Sequence, residues 1–274
     1  MKRIDAHQHF WRLDRGDYTW LTPDMAPIYR DFLPADLAPQ LTRAGVEKTI
    51  LVQAAATVAE TRFMLELAKN HEFIAGVVGW ADFERANSPD VIAELAAEDR
   101  LVGLRPMIQD IPDVNWMLRE FLAPAFKAMT AHGLVFDALV KTPHLPALLV
   151  LARRHPELTI VLDHGAKPPI ITDNLDAWKR GISALARNTS MVCKLSGLVT
   201  EAGGVHPETL RESVRHLLAE FGPSRLMWGS DWPVCELICT YDDWTGACDQ
   251  LLEELSDAER EQIFSGTAKA IYGI

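Results

Sequence analysis

The sequence predicts an α/β fold of the (β/α)8 kind, a TIM barrel distorted by one long loop after its first strand, as a single domain over residues 1–274. Three observations predict it. Eight short apolar, β-branched runs recur along the chain, and segments with apolar residues at helical spacing separate them. No internal repeat, low-complexity tract or Gly/Ser linker divides the 274 residues, of which 48% are hydrophobic, enough to fill one large core.

In chain order the runs fall at residues 2–7, 48–53, 74–80, 101–107, 134–140, 158–163, 191–195 and 225–229. Thr49-Ile50-Leu51-Val52 and Thr159-Ile160-Val161-Leu162 are nearly continuous in apolar character, as strands covered on both faces must be. Residues 60–69 and 145–154 carry apolar side chains at helical spacing. Helix starts are legible at Ser88-Pro89, at Pro207 and at Ser256-x-x-Glu259, a capping box. The connection over residues 8–35 is the outlier. Its length and its content of Trp11, Tyr18, Trp20, Pro23, Pro27 and Tyr29 predict an ordered flap over one end of the barrel.

A formal charge of −11 with scattered basic residues excludes a nucleic-acid partner and leaves a small ligand as the expectation. Lys2, Arg3 and Asp5 come too early for a secretory leader, and the longest apolar stretch, 145–152, is interrupted by proline and far short of the roughly 20 residues a bilayer needs. No membrane association is expected. Cys193, Cys235, Cys239 and Cys248 form neither a disulfide scaffold nor the close pairs of structural zinc, so they read as free thiols in a reducing cytoplasm. The oligomeric state stays open.

The chemistry concentrates at strand ends. His7 and His9 are two apart at the end of the first run, so alternation of side chains projects both toward the barrel axis, where two imidazoles can hold one divalent ion. His164 follows the sixth run and Asp231 the eighth. Closure of a barrel sets the first strand beside the eighth, so these four residues converge at the C-terminal rim, where active sites of this fold sit. The other six histidines, at 71, 132, 144, 155, 206 and 216, fall in helices or connections and receive no role.

Ile4-Asp5-Ala6-His7-Gln8-His9-Phe10-Trp11, Val161-Leu162-Asp163-His164 and Trp228-Gly229-Ser230-Asp231-Trp232-Pro233-Val234 resemble the amidohydrolase superfamily and, within it, the sugar-lactonase branch that acts on L-fucono- and L-rhamnono-lactones. Residues 192–201 and 222–227 extend the resemblance to nearly the whole chain. It implies hydrolysis of an aldonolactone, a small-molecule substrate, with metal or direct carboxylate activation of water. It places His7 and His9 on the first-strand metal pair, His164 on the sixth-strand histidine and Asp231 on the eighth-strand catalytic aspartate. The sequence departs from the fuller pattern at the fourth and fifth strands, Leu101-Val102-Gly103-Leu104-Arg105 and Leu134-Val135-Phe136-Asp137, which carry no histidine or bridging lysine. One divalent ion at most is therefore expected, zinc, held by His7, His9 and Asp231, and dispensable in some relatives.

Lactone hydrolysis needs a base for water, a stabiliser for the oxyanion and a proton for the leaving alkoxide. Asp231 suits the first and third tasks, His164 and Arg105 the second. Gln53, Trp11, Trp80, Trp232 and Lys194 are candidate substrate contacts, Lys194 having the plainer alternative of pairing with a carboxylate such as Asp163. Two rival readings remain: decarboxylation of an unsaturated or aromatic acid, and a catalytically idle barrel that binds a sugar or a protein.

Overall fold

The computed structural model describes residues 2–172 and 174–274. Its sheet has eight parallel strands in sequence order: β1 Arg3–Gln8, β2 Val46–Val52, β3 Ile74–Gly79, β4 Leu101–Leu104, β5 Val135–Ala138, β6 Ile160–Leu162, β7 Val192–Leu195 and β8 Leu226–Trp228. All eight predicted runs are strands. β4 stops at Leu104, short of the predicted 107, because Pro106 has no N–H to give to a ladder. Helices such as Val58–Asn70, Leu145–Arg154, Asp176–Asn188 and Pro207–Phe221 pack outside. The predicted starts at Ser88, Pro207 and Ser256 are present, the last as a capping box in which Glu259 accepts from the Ser256 amide at 2.9 Å.

Inside the barrel, Ile4 and Ala6, Ile50 and Val52, Val78, Val135, Val161, Val192 and Met227 form an apolar layer. The C-terminal helix Thr267–Tyr272 closes it from below with Ala268 and Tyr272. On β1 these inward residues are even-numbered, whereas His7 and His9 are odd. A register shift between Asp5 and Gln8 reconciles the two sets, re-aiming the strand just before the site.

Closure is made by β1 and the segment after β8. The Asp231 amide donates to the His7 carbonyl at 2.8 Å and the His9 amide to the Trp232 carbonyl at 2.7 Å. Asp5 staples the seam, accepting from the amides of His7 at 3.1 Å and Ser230 at 2.8 Å and from the Tyr241 hydroxyl at 3.0 Å. Gly229 is required there, since a Cβ on it would stand 2.7 Å from the His7 Cβ.

The long connection is an ordered flap, as its aromatics predict. Trp11 and Phe32 bridge one another across it, and both are fully buried. Trp20 donates through Nε1 to the Ala54 carbonyl at 2.7 Å, and Thr57 donates to Asp17 at 2.9 Å, fixing the flap to the loop after β2. Glu60 holds that loop from beneath, accepting from the amides of Ala54 at 3.0 Å and Ala55 at 2.7 Å. No helix among the described residues is long and apolar enough to cross a membrane.

Two outcomes are expected. Gly229→Ala forces β1 from β8 and lowers stability by about 1–3 kcal/mol, read by urea denaturation; unchanged stability would mean that the seam has slack. Burial pushes Glu60 up to about 8 from its ordinary 4.5. The folded chain therefore keeps a proton there that the unfolded chain loses, and stability falls as pH rises from about 4.5 through about 8. Replacing Glu60 by Gln flattens that slope, measured by melting temperature against pH.

Candidate active site

At the C-terminal ends of the strands Asp231 sits among three imidazoles. Its Oδ1 lies 3.2 Å from His9 Nε2, 3.7 Å from His7 Nε2 and 3.9 Å from His164 Nε2. The four predicted residues thus meet in one place, His7 wholly enclosed and the others 3–4% exposed. Asp231 and His164 both adopt left-handed backbone, with φ of 57° and 53°. Such conformations cost of order 1–3 kcal/mol and persist where surrounding structure enforces them, commonly at functional sites.

Each ring is held by its other nitrogen or by its neighbours. His9 Nδ1 is 2.7 Å from the Val52 carbonyl, which can only accept, so Nδ1 carries a proton and Nε2 is turned to Asp231. His164 Nδ1 lies 2.9 Å from Ser196 Oγ. Gly197 lets the ring approach, because a Cβ there would stand 2.5 Å from His164 Nδ1. His7 stands between cations, with Lys194 Nζ 3.2 Å from Nδ1 and Arg105 Nη1 3.2 Å from Nε2.

Burial and then the Lys194 ammonium drive His7 well below its usual pKa, and burial takes His164 down to about 4, so both are neutral near pH 7. Burial alone would raise the Asp231 carboxyl. Contact with the surrounding rings, His164 first and then His9 and His7, outweighs it and keeps the group ionised, below the usual carboxylate range.

Beneath these residues runs a buried ion-pair cluster. Lys194 Nζ is 2.5 Å from Asp137 Oδ2 and 3.1 Å from Asp163 Oδ1, and Arg105 Nη1 is 3.3 Å from Asp163 Oδ2. Arg105 also donates to the Gln53 carbonyl, and Gln53 Nε2 donates to the Arg105 carbonyl at 2.7 Å. Arg105 Nε and Gln53 Oε1 are buried with no hydrogen-bond partner among the described residues.

The candidate contacts separate accordingly. Lys194 is fully buried and neutralises Asp137 and Asp163, the pairing with Asp163 being the plainer alternative that its sequence offered to a substrate contact. Trp11 and Trp232 are fully buried too. Trp11 donates to the Arg30 carbonyl at 2.8 Å and Trp232 to Glu236 at 2.7 Å, and both pack edge-on against Phe32, leaving neither ring a face for a sugar. Trp80 is half-buried and, with Pro106, Met107 and Trp116, lines a cavity of about 340 Å³ at the ends of β3 and β4. A larger one, about 760 Å³, lies at the opposite end against residues 270–274 and contains none of the strand-end residues. Asp137 and Ser196 went unassigned from sequence, and Asp163 was named only as a partner for Lys194; an acidic residue inside an apolar strand run was the available signal for Asp137.

The donor set fits a divalent ion. One atom each from His7, His9 and Asp231 lie within 4.8 Å of one another, all buried. Bond lengths of 2.0–2.1 Å in tetrahedral zinc sites put ligand atoms about 3.3 Å apart, close to the 3.2 and 3.7 Å separating Asp231 from His9 and His7. With Nδ1 committed to the Val52 carbonyl, His9 Nε2 meets the Asp231 oxygen either through a proton of its own or through a cation held between them. Within the cluster around His7, the carboxylates Asp137, Asp163 and Asp231 also outnumber the cations Arg105 and Lys194 by one.

Comparison with known proteins agrees with this geometry. The amidohydrolase family profile matches residues 4–274. The L-fucono-1,5-lactonase of Burkholderia ambifaria is 47% identical over 99% of this chain and 96% of its own length, and that of Burkholderia multivorans is 38% identical over the same shares. A crystal structure of a Burkholderia multivorans amidohydrolase with bound zinc superimposes with a TM-score of 0.93 at 38% identity, covering all of both chains. With the profile spanning the whole barrel and the strand-end residues converged, the chain belongs to the amidohydrolase family.

Proposed function

We infer that this protein is a lactonase that opens a sugar-acid lactone, of the L-fucono-lactone class, to the free sugar acid. The observation that carries the reading is the placement of one ionised carboxylate, Asp231, within 3.2–3.9 Å of three imidazoles at the barrel rim. The 47% identical L-fucono-1,5-lactonase supports both reaction and substrate class.

Asp231 takes a proton from water as that water attacks the lactone carbonyl, and returns it to the departing ring oxygen. His164, neutral and braced by Ser196, orients the water or the carbonyl. Arg105 is locked by His7, Asp163 and Gln53 and so is a fixed cation beside the imidazoles for developing oxyanion charge. Gln53 is fully enclosed and braces the Arg105 backbone, while Trp80, on the wall of the cavity at the ends of β3 and β4, offers an apolar face to a sugar ring. His7, His9 and Asp231 would hold zinc, which polarises the carbonyl or readies water for deprotonation near neutral pH.

Decarboxylation fits less well. A strongly anionic acid needs free cations, and here Arg105 and Lys194 are already paired with Asp163 and Asp137.

The direct test is acid release, followed with a pH indicator, from L-fucono-, L-galactono-, D-arabinono- and L-rhamnono-lactones. Turnover is expected with the L-fucono compound among the best, and Asp231→Asn should fold normally yet lose about 10²–10⁴-fold in rate. Wild-type-like turnover by that variant, or no turnover of any lactone by the parent, overturns the assignment. Chelation followed by zinc should remove and then restore activity; undiminished rates in protein shown to be metal-free would take the ion out of the scheme.

A further inference from the structure

Tyr272 comes from the helix Thr267–Tyr272, which closes the end of the barrel away from the catalytic residues. Its ring lies in the interior apolar layer, and its hydroxyl donates to Asp137 with both carboxylate oxygens 3.0 Å away. Asp137 is fully buried on β5, and its only other side-chain partner among the described residues is Lys194 on β7, at 2.5 Å. Lys194 in turn touches Asp163 at 3.1 Å and His7 Nδ1 at 3.2 Å, and its ammonium stands 5.5 Å from the centre of the Tyr272 ring. A continuous polar path therefore climbs the barrel axis from the C-terminal helix to the ring that faces Asp231.

We propose that Tyr272 is a positioning residue for the hydrolytic site, fixing the His7 imidazole through Asp137 and Lys194. An ammonium has three donors and no directional preference of its own, so the carboxylates around it decide where it sits. Asp163 is additionally held by Arg105, whereas Asp137 has only the Tyr272 hydroxyl to set the rotation of its carboxyl group. Removing that hydroxyl frees Asp137 to turn, and Lys194 then settles toward Asp163 and shifts against His7 Nδ1. The surroundings are apolar, so these contacts are poorly screened and a small displacement at one end is felt at the other. When His7 Nε2 serves an ion its Nδ1 carries the proton, and the acceptor in reach is Asp163 Oδ1, 3.5 Å away and shared with Lys194, so a displaced Lys194 also displaces the partner that orients the ring.

The inference rests on the lactonase reading for its kinetic arm and on the His7, His9 and Asp231 cation site for its second arm. Tyr272→Phe keeps the ring in the core and deletes only the hydroxyl. We expect kcat to fall about tenfold with KM unchanged, and zinc affinity, read by competition with a chromophoric chelator, to weaken about tenfold. Asp137→Asn should give the same pair of changes, and the double variant should lose no more than the larger single, since both act on one path. A variant that melts earlier but keeps wild-type kcat and zinc affinity overturns the proposal, as do losses that multiply in the double variant. If Tyr272→Phe did not fold, wild-type values in Asp137→Asn would overturn it equally. A parent protein without lactone turnover defeats the functional reading instead, and the zinc arm still decides this one.

Discussion

The contact on which the catalytic end depends is the hydrogen bond from the Asp231 amide to the His7 carbonyl, 2.8 Å long, at the seam of the barrel. It joins the first strand to the segment after the last, residues separated by almost the whole chain, and so converts an ordinary β-closure into the meeting of base and imidazole. Its neighbours show how little freedom the seam allows. Gly229 gives up its side chain so that His7 can approach, and Asp231 adopts left-handed backbone to turn its carboxylate inward. Asp5 takes up the amides of both strands from outside. Burial lifts the Asp5 carboxyl to about 6, a sign of how dry the seam is.

A second constraint lies directly beneath. Taking Asp137, Asp163, Lys194 and Arg105 out of water is expensive, and such groups are tolerated only when each is paired and hydrogen-bonded. Here every charge has a neighbour of opposite sign, and the cluster doubles as the floor on which His7 rests. A hydrophobic floor of the same volume could give equal or greater stability, so the charges are better explained by what they orient than by what they stabilise.

Much of this was legible in the sequence. The strands were, because a parallel sheet buried on both faces writes itself as apolar runs, and Asp231, His164, His7 and His9 were, because each ends such a run. What failed was the reading of individual side chains whose fate depends on packing. Trp11 and Trp232 stand beside the site in sequence, but the flap folds back over them and both are interior. Lys194 was placed on the correct strand, yet its partner Asp137 is two strands away, a pairing that only the barrel's curvature brings about. Strict alternation along β1 would have aimed Ile4 and Ala6 away from the face that His7 occupies; the register shift after Asp5 lies below what periodicity can resolve. Tyr272 gave no signal, because a tyrosine near the end of a chain looks the same whether it packs outside a barrel or inside one.

The charge pattern also bears on direction. A lactone is neutral, so it enters a site whose base is already ionised without meeting repulsion. Opening the ring creates a carboxylate close to Asp231, itself ionised once it has passed its proton on. Two like charges in a poorly solvated space disfavour one another strongly. Arg105 and Lys194 relieve this little, since the carboxylates of the floor already engage both. The protein's own charges therefore favour the uncharged ring over the acid it becomes, and an ion held by His7, His9 and Asp231 would offset that repulsion, so the bare and the zinc-loaded site differ in how firmly they keep the product.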